Sequence, residues 1–179
     1  LLIGFRISAD HMVKGGLTKE ESAEVIRILK QEGILDFVSI IVGSYYSLSA
    51  ITPAMGGPIG LAVEAAKYVR DVACLPVVVA GRIPTPEHAE EVIAGENADF
   101  IAFARPFIAD PNWPNKFLAG KSETIYPCLY CNQQCVTRLS QKLPLSCVQN
   151  PSAGKEKLLE ISNLASLNKK HICVIGGGP

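Results

Sequence analysis

The sequence has no surplus of charge: 17 Lys and Arg stand against 17 Asp and Glu in 179 residues. With no basic stripe, a nucleic-acid partner is not expected, and with no acidic tail, neither is a disordered solvating arm. Long apolar runs are missing too. The longest are strand-length, far short of the roughly 20 residues of a membrane span, so no membrane partner is expected. The first residues carry no basic stretch and no small-residue cleavage site, so no secretory signal is read there. Histidine is scarce. His11, His88 and His171 show no ligand spacing, and only His11, just past a strand end, is a candidate site residue. There is no low-complexity tract. Together these absences predict a cytoplasmic protein. The chain opens inside a strand-like run, LLIGFRI, and closes on VIGGGP. It is therefore expected to be an internal piece of a longer polypeptide.

What is present is an alternation of strand and helix. Residues 1–8, 35–43, 76–81 and 98–104 read as buried strands. Helices are expected over 18–32, over roughly 59–71, from Thr85 to near Gly95, and briefly from Arg105-Pro106. Thr18 with Glu21 fits a capping box, and Val25, Ile26 and Leu29 are expected on one apolar face. Ala62, Ala65, Ala66 and Val69 form the corresponding face of the second helix. Continuous apolar strands with helical crossovers predict an α/β fold with a parallel sheet buried on both faces. Four such units make half of an eight-fold barrel or most of a doubly wound sheet, and periodicity does not choose between them. After Gly120 the periodicity fades. Residues 121–150 hold a cysteine-rich segment, 151–169 look like a linker, and 170–175 (KHICVI) are strand-like before GGGP.

Six cysteines in a chain without secretory features are not expected to form a disulfide framework. Cys74 and Cys173 are expected to be small core residues. The other four, Cys128, Cys131, Cys135 and Cys147, are spaced C-x2-C-x3-C-x11-C. Four thiolates so close suit one tetrahedral centre, either zinc or an iron-sulfur cluster. Zinc sites usually come as two C-x2-C knuckles. Three cysteines in eight residues with a fourth farther on favour a cubane cluster.

Several other residues carry candidate chemistry. Arg6 lies towards the end of a strand and faces either a ligand or Asp10 in an ion pair. AGRIPTPE (80–87) and FARPFIADP (103–111) each place a small residue and an arginine at a strand end. In a barrel, phosphate sites come from the loops after strands seven and eight, which would make Gly81, Arg82, Ala104 and Arg105 a phosphate cradle. Otherwise the arginines lie over the rim. VIGGGP begins as a dinucleotide fingerprint does, with Gly176 and Gly178, or is a glycine-rich turn. In the loop after the second strand, Tyr45, Tyr46 and Ser47 either contribute to a substrate pocket or pack at the barrel mouth.

FRISAD, AGRI, FARPFIADP, the four-cysteine segment and VIGGGP, in that succession, resemble the NADH:flavin oxidoreductase (Old Yellow Enzyme) family. The resemblance is to its FMN and 4Fe-4S branch, with 2,4-dienoyl-CoA reductase, trimethylamine and histamine dehydrogenases, and N-methylproline demethylase. The cysteine spacing is similar to that of the dienoyl-CoA reductases. DHMVKGGLT resembles the demethylase-like members more.

This resemblance implies the C-terminal half of a TIM barrel, strands five to eight, over 1–120. A 4Fe-4S segment over 121–150, a linker over 151–169 and the first strand of an FAD/NAD(P)-binding domain over 170–179 would follow. Arg6 would approach the flavin N1–C2 carbonyl, Gly81, Arg82, Ala104 and Arg105 would hold the FMN phosphate, and the four cysteines would bind the cluster. Gly176 and Gly178 would begin a site for FAD or NAD(P)H. Ser47 matches the position of a catalytic His in the dienoyl-CoA reductases, so the catalytic group is not identified, and His11, Tyr45, Tyr46 and Ser47 are its candidates. The implied reaction is C=C reduction of an enoate or dienoyl-CoA type of small molecule. Amine dehydrogenation or N-demethylation in the same family is the alternative, and a non-catalytic, zinc-stabilised β/α module is another. The remaining barrel strands and nucleotide domain of the same polypeptide would be its partners, with homo-oligomers open.

Overall fold

Four short strands lie side by side, all parallel and in chain order: β1 (Gly4–Asp10), β2 (Phe37–Val42), β3 (Val77–Ala80) and β4 (Phe100–Ala102). The computed structural model describes residues 1–159, 171 and 173–176. An order of β1-β2-β3-β4 without reversal is that of a barrel wall. A doubly wound sheet reverses its order at a switch point. The choice that periodicity left open is thus made by topology.

Helix α1 (Lys19–Gln31) starts at the expected capping box, in which the Glu21 N–H donates to Thr18 Oγ1 (3.3 Å) and the Thr18 N–H to Glu21 Oε2 (2.9 Å). Its buried face is Ser22, Ala23 and Ile26, whereas Val25 is exposed. The expected Val25–Ile26–Leu29 face is corrected to one side of Ile26, because the small Ser22 and Ala23 let α1 approach β1. Ser22 Oγ donates to the carbonyl of Ala9 at 2.7 Å. After β2 comes a short helix, α2 (Leu48–Ile51), which the sequence did not signal. Helix α3 (Val63–Ala73) buries Ala65, Ala66 and Val69 as expected, with Ala62 buried at its N-cap, and it buries Ala73 as well. It starts four residues later than expected, because Gly60 turns at φ 62° and its carbonyl accepts from the Val63 N–H (2.8 Å). Cys74 closes it in the left-handed region (φ 48°) and is exposed, so its expected core role is corrected. Helix α4 (Pro86–Ala94) has the predicted Thr85 cap and ends at Gly95.

The core lies between the sheet and the helices: Val38, Ile40, Val77 and Val79 meet Ile26, Ala66 and Val69, all essentially inaccessible. The first residues of β1 are not buried, contrary to the strand expected over 1–8. Leu1, Leu2 and Ile3 precede the strand and are exposed, as is Phe5 on β1, a sheet edge, and Phe100 on the opposite edge strand β4 is 59 % exposed. Two apolar, unpaired edges are what part of a barrel wall would present.

Beyond β4 run α5 (Arg105–Ala109) and α6 (Trp113–Leu118). Phe103, Phe107, Trp113 and Phe117 stack there, with successive ring centroids 5.0–6.0 Å apart. Asp110 is buried beneath them. It accepts from Lys116 Nζ (2.6 Å) and from the N–H groups of Asn112 and Tyr126 (both 3.0 Å), tying the barrel wall to the segment that leads into the cysteines. Burial alone would push its carboxyl up. Lys116 and the two N–H groups outweigh that and hold it below the ordinary carboxylate value.

Within 121–150 regular structure is confined to a 3-10 turn (Ser122–Thr124) and α7 (Val136–Ser140). His171 and residues 173–176 have no strand structure and are exposed. The strand expected over 170–175 is therefore not formed in its described residues, and Cys173 is exposed rather than core. Residues 160–169 of the expected linker, and Gly178, lie outside the described residues. Among the described residues no helix is long and apolar enough to cross a membrane.

Candidate functional site

Ala80 and Ala102 are register partners at the C-terminal ends of β3 and β4. The chain leaves both strands at this level, so Gly81-Arg82 and Ala104-Arg105 emerge side by side. Gly81 takes φ 146°, which suits glycine, and Arg82 takes φ 28°, which does not suit an L side chain. Left-handed backbone costs a non-glycine residue roughly 1–2 kcal/mol and persists where the surroundings enforce it. Here the Gly60 N–H holds the Arg82 carbonyl at 3.1 Å. The four residues line one cleft of about 200 Å³, and Tyr130 is also part of its lining.

The two arginines are engaged differently. Arg105 Nη1 donates to the Pro53 carbonyl (2.8 Å) and to Asn132 Oδ1 (2.7 Å). Arg82 Nη2 donates to the Met55 carbonyl, but its buried Nε has no hydrogen-bond partner among the described residues. A buried charged donor without an acceptor is uncommon, and an anion in the cleft would satisfy it. Both guanidinium groups lie against the Tyr130 ring, Arg105 at 4.7 Å and Arg82 at 5.2 Å from its centroid. Tyr130 is buried and its hydroxyl donates to the Ile83 carbonyl at 3.2 Å. Burial, then the neighbouring Cys128, pushes the hydroxyl up to about 12, so it stays a neutral donor near pH 7.

Tyr130 sits between the first two cysteines of the cluster segment. Cys128, Cys131, Cys135 and Cys147 line a single small cavity, whose wall includes Arg105 and Tyr130. All four are half-buried free thiols. The Ser146 N–H donates to the Gln134 carbonyl (2.9 Å), which brings the fourth cysteine beside the third across the intervening eleven residues. The Cys128 thiol is pushed up by burial. The Tyr130 N–H (3.4 Å from Sγ) and Arg105 oppose this, while Cys135 and Cys147 add to it, so the thiols sense one another. Among the described residues no three Cys, His, Asp or Glu side chains are gathered tightly enough to hold a metal ion. The fold supplies a shared cavity with four thiol sulfurs in its lining, a donor set that fits a soft centre such as zinc or iron-sulfur.

The remaining candidates sit elsewhere. Arg6 is level with Ser39, Val78 and Phe100, one inward row below the cleft row of Ile41, Ala80 and Ala102, or about 7 Å along the strands. Its Nε donates to Ser39 Oγ (3.1 Å), and it makes no ion pair with Asp10, whose carboxylate accepts from the Met12 N–H instead. Arg6 therefore shares a sheet face with the cleft but does not line it. Tyr45 and Tyr46 are 89 % and 92 % exposed, so they do not pack at the mouth. They border a separate, open pocket with His11. Ser47 is committed to structure: its Oγ donates to the His11 carbonyl at 2.6 Å and accepts from the Ser44 N–H at 2.7 Å. Gly176 is exposed at φ 88°.

Sequence reasoning missed Tyr130, Asn132 and Asp110. Tyr130 and Asn132 flank Cys131 and both are left-handed, at φ 54° and 60°. An Asn beside the motif was a signal for that conformation, whereas a Tyr was not.

Comparison with known proteins agrees with this geometry. Residues 1–123 match the model of the NADH:flavin oxidoreductase / NADH oxidase family. An NADH oxidase of Thermoanaerobacter brockii is 38 % identical over 178 residues, covering 99 % of this chain and 27 % of the relative. A 2-naphthoyl-CoA reductase in complex with 2-naphthoyl-CoA superposes with a TM-score of 0.79 at 30 % identity, over 84 % of this chain and 23 % of that one. The 6-hydroxypseudooxynicotine amine oxidase of Pseudomonas geniculata N1 also gives 0.79, at 28 % identity, over 89 % of this chain and 23 % of its own. The chain thus spans about a quarter of the length of these relatives. With its barrel-wall topology and this match over residues 1–123, it belongs to the NADH:flavin oxidoreductase / NADH oxidase family.

Proposed function

We propose that this chain forms the phosphate-holding side of an FMN site and the cysteine loop of a 4Fe-4S cluster within a longer, cytoplasmic oxidoreductase. The observation that carries the reading is Tyr130, one buried ring held by two arginines and shared as a wall by the arginine cleft and the thiol cavity. Gly81, Arg82, Ala104 and Arg105 would hold the FMN phosphate, and the unpartnered Arg82 Nε fits that role. Arg6, on the same sheet face, would approach the N1–C2 carbonyl and favour the reduced, anionic flavin. Cys128, Cys131, Cys135 and Cys147 would ligate the cluster. Bound flavin supplies hydride chemistry and a cluster single-electron transfer, so together they link a two-electron reaction to a distant donor. Residues 1–120 would be barrel, 121–150 the cluster segment and 151–169 the linker. Gly176 and Gly178 would open an FAD or NAD(P)H site over 170–179.

The reaction proposed is reduction of an activated C=C bond, supported by the likeness to a 2-naphthoyl-CoA reductase. Amine oxidation is the second reading. It is favoured by Ser47, whose hydroxyl is occupied by a backbone carbonyl and is not free to donate a proton, and by the equal likeness to an amine oxidase. The full-length protein separates the two under anaerobic conditions. Reduced enzyme should be reoxidised, with recovery of flavin absorbance, by an enone or an unsaturated thioester. If oxidised enzyme is instead bleached by an N-methyl amine and reduced enzyme ignores the alkenes, the amine reading replaces the first.

A further inference from the structure

The segment around Cys131 is built against its local preference. Tyr130 and Asn132, on either side of it, both hold left-handed backbone. Such geometry persists only where partners over-determine it. For Tyr130 those partners are the Ile83 carbonyl, Arg82 and Arg105. For Asn132 they are Arg105 (2.7 Å) and, through Nδ2, the Thr52 carbonyl (3.0 Å). The partners that fix these two side chains on either side of Cys131, namely Thr52, Arg82, Ile83 and Arg105, therefore all belong to the lining of the arginine cleft. The cleft is unbalanced by itself, since two cations share one ring and one of them has a buried, unpartnered Nε.

We propose that Tyr130 is a positioning residue through which phosphate in the arginine cleft fixes the cysteine loop, so that FMN binding controls retention of the cluster. The inference rests on the functional reading above. An anion between Arg82 and Arg105 offsets their mutual repulsion and immobilises both against the ring. The ring then fixes the Tyr130 backbone, whose N–H points at Cys128 Sγ. Coupling of this kind is reciprocal, so a filled cluster site should also tighten FMN binding.

The test uses the full-length protein, stripped of FMN and then refilled with FMN or with riboflavin, which lacks the phosphate. The readout is the rate at which a chelator removes iron. FMN should slow iron loss by about 5-fold or more, within the usual span of such couplings. Saturating riboflavin should leave the rate where it stands without flavin. In Tyr130→Gly, which removes the ring and suits the positive φ, the FMN protection should fall towards 1-fold. Tyr130→Phe, which keeps the ring, should retain most of it. Riboflavin protecting as well as FMN, or undiminished FMN protection in Tyr130→Gly, overturns the proposal. If Tyr130→Gly takes up no iron, the riboflavin comparison in the unmodified protein decides. Full-length protein lacking iron or flavin altogether would instead overturn the functional reading.

Discussion

Replacing Arg82 by glycine separates binding from folding. The guanidinium makes one exposed hydrogen bond, to the Met55 carbonyl, and one cation–π contact with Tyr130 at 5.2 Å. Losing these costs about 0.5–1.5 and 0.5–1 kcal/mol. Glycine at φ 28° recovers about 1–2 kcal/mol of left-handed strain. The terms offset to within about 1.5 kcal/mol, so apo-protein stability should change little. A phosphate, however, would lose a charge-assisted contact of about 1.5–3 kcal/mol. At 1.4 kcal/mol per decade this is about a 10- to 150-fold weaker FMN Kd. Quenching of flavin fluorescence on titration into apo-protein measures it, and thermal unfolding measures stability. Unchanged FMN affinity in a stable Arg82→Gly protein would refute the assignment of the cradle.

Arg105→Ala should behave otherwise. It removes two charge-assisted hydrogen bonds and the closer stacking contact, roughly 3.5–8 kcal/mol before relaxation. Both FMN and iron should be lost on purification, as read by absorbance and metal analysis. Arg82→Gly, which leaves Arg105 and its Asn132 contact in place, should weaken FMN binding and, once FMN is lost, release iron to a chelator at the flavin-free rate. Asp110→Asn should destabilise the protein by about 1–3 kcal/mol near neutral pH, by thermal unfolding, through the weakened Lys116 and Tyr126 contacts. The folded carboxyl is held below its ordinary value of about 3.9, so its contribution is complete above that pH. It is lost as pH falls through the depressed value, and the gap between variant and parent should close there.

Much of this molecule was legible because its signals are local. The Thr18–Glu21 box, the Thr85-Pro86 start and the apolar runs of β2 and β3 each follow from a few adjacent residues. Strand order is long-range: periodicity did not choose between barrel wall and doubly wound sheet, the family resemblance implied the barrel, and the order of the four strands agrees with it. The exposed start of β1 could not be foreseen, since an edge strand carries the same apolar run as a central one. The four cysteines and the two strand-end arginines stood out by spacing, and the structure gathers each set around one cavity. Their connection through Tyr130 was hidden, because 47 residues separate the ring from the carbonyl its hydroxyl meets. Ser47 and Tyr45 showed the reverse: chemistry-bearing types at a strand end, one spent on bracing a loop and one facing solvent.

The central claim is that the arginine cleft and the thiol cavity hold a flavin phosphate and an iron-sulfur cluster side by side. Metal, sulfide and flavin analysis of the purified full-length polypeptide, with electron paramagnetic resonance after reduction, tests it most directly. The account predicts FMN together with about four iron and four sulfide per chain, the iron and sulfide being lost when Cys147 is changed to Ser. Zinc without iron, or a polypeptide with no flavin, would contradict it.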